Sequence, residues 1–179
     1  MVNVVDVKRY IPKSSDKFFF DNNIWIHLNC PIGSVNYQLQ KKYSLLQQSI
    51  ISSKASIFVN SLVLSEFANT SLRIDFDIWR KKQATAGLHY KKDYIPTAQY
   101  KSTTKSIKSA IENILKLAVR QPDDFHIIDI DNIHRNFETI DFNDCYYIEF
   151  CKKNSLILVT EDKDFNKIHD TQLNVITLS

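Results

Sequence analysis

The residues best placed to do chemistry in this sequence are carboxylates that fall at the ends of apolar runs. Lys17-Phe18-Phe19-Phe20 runs into Asp21, and Leu156-Ile157-Leu158-Val159-Thr160 runs into Glu161, Asp162 and Asp164. In an open α/β sheet, ligands sit beyond the carboxyl ends of the strands. If these two strands are neighbours, Asp21 and Asp162 converge on one point. Clustered carboxylates repel each other, by about 332/(ε·r) kcal/mol per pair. Such a cluster is stable when protonated, paired with Lys or Arg, or closed around a cation. Oxygen donors at that density favour Mg²⁺ or Mn²⁺. Taken alone, an Asp after a strand is more often a turn or N-cap residue.

Two more acids extend the set. Asp144 lies three residues after Asp141, at the start of an apolar helical run. An N-cap at Asp141 with Asp144 at N3 accounts for both without any function. Glu66 sits within Leu62-Val63-Leu64-Ser65-Glu66-Phe67-Ala68, with apolar neighbours on both sides. A carboxylate there is costly if buried and unpaired. Either it faces solvent, or it serves as a ligand to a metal or a water.

Composition removes competing chemistries. The chain has 179 residues, with two glycines, four prolines and three cysteines. That length makes one domain, residues 1–179, the expectation. Gly33 and Gly87 stand far apart, so no glycine-rich phosphate loop can be built. Cys30, Cys145 and Cys151 form no C-x-x-C pair, which argues against a disulfide framework or a cysteine zinc site. His27, His89, His126, His134 and His169 show no ligand spacing and read as structural or surface residues. Asp6, Lys8 and Arg9 interrupt the N-terminal apolar stretch, against a signal peptide. No apolar run approaches the ~20 residues of a membrane span. A reduced, cytoplasmic protein is expected.

Charge is segregated. The net charge is +3. Residues 80–108 carry eight basic residues against Asp93 alone, a net +7; residues 121–170 carry five against twelve acids, a net −7. A basic segment can hold a polyanion and an acidic one can hold cations. The plainer reading of the basic segment is a solvated helix face.

Strands are expected at Val2–Val7, Lys17–Phe20, Ser56–Asn60, Phe125–Asp129, Leu156–Thr160 and Leu173–Leu178. Helices are expected at 35–52, 61–78, 103–120, 131–139 and 141–154, with Pro122 stopping the third. Residues 79–102 read as an irregular or partly helical excursion. Strands alternating with helices predict an α/β sandwich around a mostly parallel sheet.

Placed on that frame, four blocks resemble those of PIN-domain nucleases. They are Phe19 to Ile26, Ser61 to Asn69, Asp141 to Tyr147, and Leu158 to Phe165 with its Thr-x-Asp-x-Asp-Phe ending. The order and spacing carry the resemblance, which spans about residues 16–178. It implies a three-layer α/β/α fold and metal-dependent cleavage of RNA. It also implies acids at Asp21, Glu66, Asp144 and Asp162, with Asp164 as a fifth and Asp141 as a weaker candidate. One or two Mg²⁺ or Mn²⁺ ions would bind there. The metal would activate water and stabilise charge on the phosphate. Arg80, Lys81, Lys82, Lys91 and Lys92 would hold the RNA backbone, and Trp79, Tyr90, Tyr94 or Tyr100 would stack on bases. The longer, more basic 79–102 segment and the extra N-terminal segment depart from compact members. In this family a small stand-alone member is most often the toxin of a toxin–antitoxin pair, which implies a small antitoxin partner and a homodimer. A catalytically silent binding module and a structure-specific DNA nuclease are the competing readings.

Overall fold

The computed structural model describes residues 3–33, 36–168 and 172–178, and of Asn166 the backbone alone. His169, and Val2 at the start of the first expected strand, lie outside the described residues. The strands are β1 (Asn3–Asp6), β2 (Lys17–Phe20), β3 (Ser56–Val59), β4 (Ala118–Arg120), β5 (Ile157–Val159) and β6 (Asn174–Thr177). They form one sheet in the order β1-β6-β5-β2-β3-β4, with every neighbouring pair parallel. The helices are α1 (Asn22–Asn29), α2 (Tyr37–Ser52), α3 (Ser61–Lys81), α4 (Ala98–Leu117), α5 (Ile130–Phe137) and α6 (Phe142–Asn154).

The three phenylalanines of β2 explain the layering. All three are fully buried. Side chains alternate along a strand, so one face receives Phe18 and Phe20 and the other receives Phe19. Phe20 packs on Trp25 of α1, while Phe19 packs on Tyr147 and Phe150 of α6. A strand that is apolar on both faces must be covered on both. Helices α1 to α4 contact one another, and α5 contacts α6. Right-handed crossovers put these two groups on opposite faces of the sheet. The result is the expected three-layer α/β/α sandwich.

Polar caps set the helix starts. Asn36, Asn60, Thr97, Asp129 and Asp141 each accept a backbone N–H in the first turn of α2, α3, α4, α5 and α6. Such caps are each worth about 1 kcal/mol. No helix among the described residues is long and apolar enough to cross a membrane.

Two expected elements are corrected. The helix expected to reach residue 120 ends at Leu117, and Ala118–Arg120 becomes β4, paired with Ile57–Val59. The free edge of β3 outweighs the helical periodicity that continues through Ala118. The strand expected at Phe125–Asp129 is instead a short 3₁₀ turn, Phe125–Ile127. Asp124 takes a left-handed conformation there, and Phe125 and Ile127 are 55% and 45% exposed, so no face is buried that would hold a strand.

The topology creates a crevice. From β2 the chain crosses to β3 and β4 on one side. It returns through α5 and α6 to β5 on the other flank of β2, then continues to β6. The next strands after β2 and β5, β3 and β6, lie on opposite sides of the β2–β5 pair, so the strand order reverses there, the position where open α/β sheets bind ligands.

Candidate active site

Both strand ends at the cleft carry acids, and one hydroxyl joins them. Asp21 follows β2 and is 6% exposed. The Thr160 hydroxyl, at the end of β5, donates to Asp21 Oδ2 at 2.7 Å. It accepts from the Asp162 N–H and from Asn23 Nδ2, both at 3.0 Å. Asn23 also donates to Asp21 Oδ2 at 2.6 Å, and the Asn22 N–H donates to Oδ1 at 2.5 Å. Parallel pairing of Phe20 with Val159 is what brings the two ends side by side.

Glu66 and Asp144 arrive from the helices. Glu66 lies on α3, which starts directly after β3. Its carboxylate accepts from Asn143 Nδ2 at 2.6 Å and from the Tyr147 hydroxyl. Asn143 and Tyr147 are four residues apart on α6 and so share a face, and Asp144 is the residue next to Asn143 in the chain. Asp141 caps α6 by accepting the Asp144 N–H at 2.9 Å, as the plainer reading expected. The same Asp144 nevertheless belongs to the cluster.

Burial and neighbouring acids both shift the carboxyl groups of Asp21 and Asp144. Burial pushes Asp21 up to about 6, with Glu66 and Asp162 adding to the rise. Asp144 is pushed up to about 8 by burial, and then by the charges of Asp21, Asp141, Asp162 and Glu66. Tyr147 is raised by burial and by Glu66, Asp21 and Asp144. Among the described residues no lysine or arginine ion-pairs with any of the four acids. The negative charge is therefore held by neutral donors alone.

That donor set suits a divalent cation: hard oxygens, excess negative charge and no competing cation. No three His, Cys, Asp or Glu groups among the described residues are already grouped to hold an ion. The Asp21 and Glu66 oxygens are turned onto amide and hydroxyl donors, and ligation requires some of those bonds to be exchanged. Asp164 follows Asp162 by two residues. It ion-pairs with Lys167 at 2.6 Å, and Asp162 caps the turn that carries it.

The basic segment is partly redirected. Arg80 ion-pairs with Asp77 at 2.9 Å and lies over the Phe76 ring. Lys81, Lys82, Lys91 and Lys92 are exposed. Tyr94 is not available for stacking on bases. It is fully buried, packed on Phe76, Trp79, Tyr90 and Tyr100, and it donates to Asp75. The excursion is built around a π-type turn, Tyr90–Tyr94, secured through that bond. Thr160, Asn23, Asn143 and Tyr147 were not singled out from sequence as orienting residues. Their position inside the acid-bearing blocks was the only signal.

The sequence profile described as the PIN domain matches residues 18–170. The chain belongs to the PIN-domain family. Members of this family are generally nucleases, and they typically use divalent metal ions. Within this PIN domain, all four blocks that carry the acids fall inside the matched range. No curated protein sequence gives a match. Among solved structures the PIN fold here is similar to a chain in the crystal structure of VapBC2 from Rickettsia felis bound to a DNA fragment from their promoter. The TM-score is 0.56 at 14% identity, over 91% of this chain and 99% of the other.

Proposed function

We propose that residues 1–179 form one catalytic unit, a metal-dependent endoribonuclease that acts as the toxin of a toxin–antitoxin pair. The observation that carries this reading is that Asp21, Glu66 and Asp162 act on Asp144 with no cationic partner among the described residues, adding to the burial that raises Asp144 to about 8. Asp21, Asp144 and Asp162 would hold Mg²⁺ or Mn²⁺, with Glu66 binding directly or through water and Asp164 as an outer fifth ligand. A divalent ion in such a site lowers the pKa of a bound water and offsets charge on the phosphate.

The chain's own groups set the geometry. Thr160 and Asn23 hold Asp21, and Asn143 and Tyr147 hold Glu66, so both carboxylates keep their place before substrate arrives. Arg80, Lys81, Lys82, Lys91 and Lys92 would attract the RNA backbone. The similarity to a chain of VapBC2 supports a small protein partner, and a homodimer in the cytoplasm fits the same reading.

Purified protein with an RNA panel tests it. Cleavage should require Mg²⁺ or Mn²⁺, stop with EDTA, and vanish in Asp21→Asn. Undiminished cleavage by that variant would sink the assignment.

A further inference from the structure

One face of α3 leads away from the carboxylates. Glu66, Asn69, Arg73, Phe76 and Arg80 follow spacings of three and four residues, so they form a single stripe. Along the helix axis Arg73 lies about 10 Å from Glu66, and Arg80 about 21 Å. Beside this stripe is a groove of about 460 Å³ lined by Asn69, Arg73, Phe76, Asp77, Tyr90 and Lys91.

Its chemistry is uneven in a useful way. Among the described residues Arg73 and Lys91 ion-pair with no carboxylate, and both are exposed. Asp77, the one acid in the lining, is already held by Arg80 at 2.9 Å. Tyr90 is backed by Phe76, edge to face at 5.4 Å, and by Tyr94 at 5.5 Å. The groove thus offers two free cations and one braced ring, on the helix that also supplies Glu66. Cations that follow a backbone, together with a ring for a base, are the elements of single-strand binding.

We propose that this groove holds the single-stranded RNA where it enters or leaves the carboxylate site, with Arg73 and Lys91 on phosphates and Tyr90 against a base. The inference rests on the ribonuclease reading above. It adds Arg73 to the residues expected on the backbone and singles out Tyr90 among the aromatic residues expected to stack on bases.

The test is fluorescence anisotropy of a labelled oligouridylate of about ten nucleotides on the full chain. EDTA is present so that binding is read without cleavage. Arg73→Gln with Lys91→Gln should weaken binding about ten-fold and lower the salt slope by roughly 1.4, at ~0.7 per single-strand phosphate contact. Tyr90→Leu should weaken binding about ten-fold with the slope unchanged, and Tyr90→Phe should retain affinity. Thermal melting confirms that each variant is folded, and the Arg73→Gln/Lys91→Gln double variant carries the test if Tyr90→Leu is not.

Unchanged affinity and slope in Arg73→Gln/Lys91→Gln, with Mn²⁺-dependent cleavage by the parent protein intact, would overturn the groove and leave the ribonuclease reading standing. A parent protein that neither binds the oligonucleotide nor cleaves RNA removes both. Variants that keep RNA affinity but lose a co-purifying small protein would assign the groove to that protein instead.

Discussion

Asp21 and Asp75 are both carboxylates removed almost wholly from water, 6% and 4% exposed. Both are satisfied by neutral donors. Asp75, on α3, accepts from the Tyr94 hydroxyl, from Thr103 at 2.6 Å, and from Gln99 at 3.0 and 3.2 Å. Those donors come from the π-type turn and from α4, so Asp75 ties the basic excursion to the two helices that flank it. Asp21 has the same kind of donors but different company. Burial raises its pKa to about 6, and the charges of Glu66 and Asp162 add to that rise. A buried acid with its hydrogen bonds complete is a fastener. The same acid with further acids aimed at it holds charge that a cation can neutralise.

The contrast should appear as opposite signs on mutation. Asp75→Ala should cost the most, about 3–5 kcal/mol, because it leaves buried donors without an acceptor. Chemical denaturation should show this, and calorimetry should find Mn²⁺ affinity unchanged if the protein still folds. Asp144→Asn should stabilise the metal-free protein at pH 8, by roughly 1–2 kcal/mol after allowing for solvent screening of a half-buried group. It should also strongly reduce cleavage. A destabilised Asp144→Asn would erase the distinction drawn between the two regions.

The pH dependence sharpens it further. Asp21 and Asp144 are raised to about 6 and about 8 from an ordinary value of 3.8. The folded state therefore holds their protons more tightly than the unfolded state does. Their stabilising effect is complete below pH 4 and is lost as pH rises through 6 and then 8. Without divalent ions, the melting temperature should fall by a few degrees between pH 5 and pH 8, and Mn²⁺ should restore it. Mn²⁺ affinity should climb over the same interval, since ligation displaces those protons. The smallest effect is expected at Asp164. Its ion pair with Lys167 is exposed, so Asp164→Asn should change stability by less than about 0.5 kcal/mol. It should also weaken Mn²⁺ binding less than Asp162→Asn, as calorimetry can measure.

The sequence made the acid-bearing strand ends legible because each apolar run stops abruptly at a polar residue, Phe20 before Asp21 and Val159 before Thr160. The cap at Asp141 was readable because an apolar helical run follows it, whereas Asn60, expected as the last residue of a strand, caps α3 instead. Long-range partnerships were not readable. Nothing near Tyr94 reveals that its hydroxyl is taken by Asp75, nineteen residues earlier. Nothing near Thr160 reveals that its hydrogen goes to Asp21, 139 residues away. β4 was hidden because its partner strand lies about sixty residues upstream, while local periodicity continued the helix.

The stripe on α3 makes that helix a ruler with a phase as well as a length. A single residue inserted between Glu66 and Arg73 would turn everything beyond it by about 100° and carry the groove residues off the face shared with Glu66. Four inserted residues would nearly restore the angle and lengthen the ruler by about 6 Å. If the proposed groove holds a strand, each such step would reset the distance between the groove and Glu66.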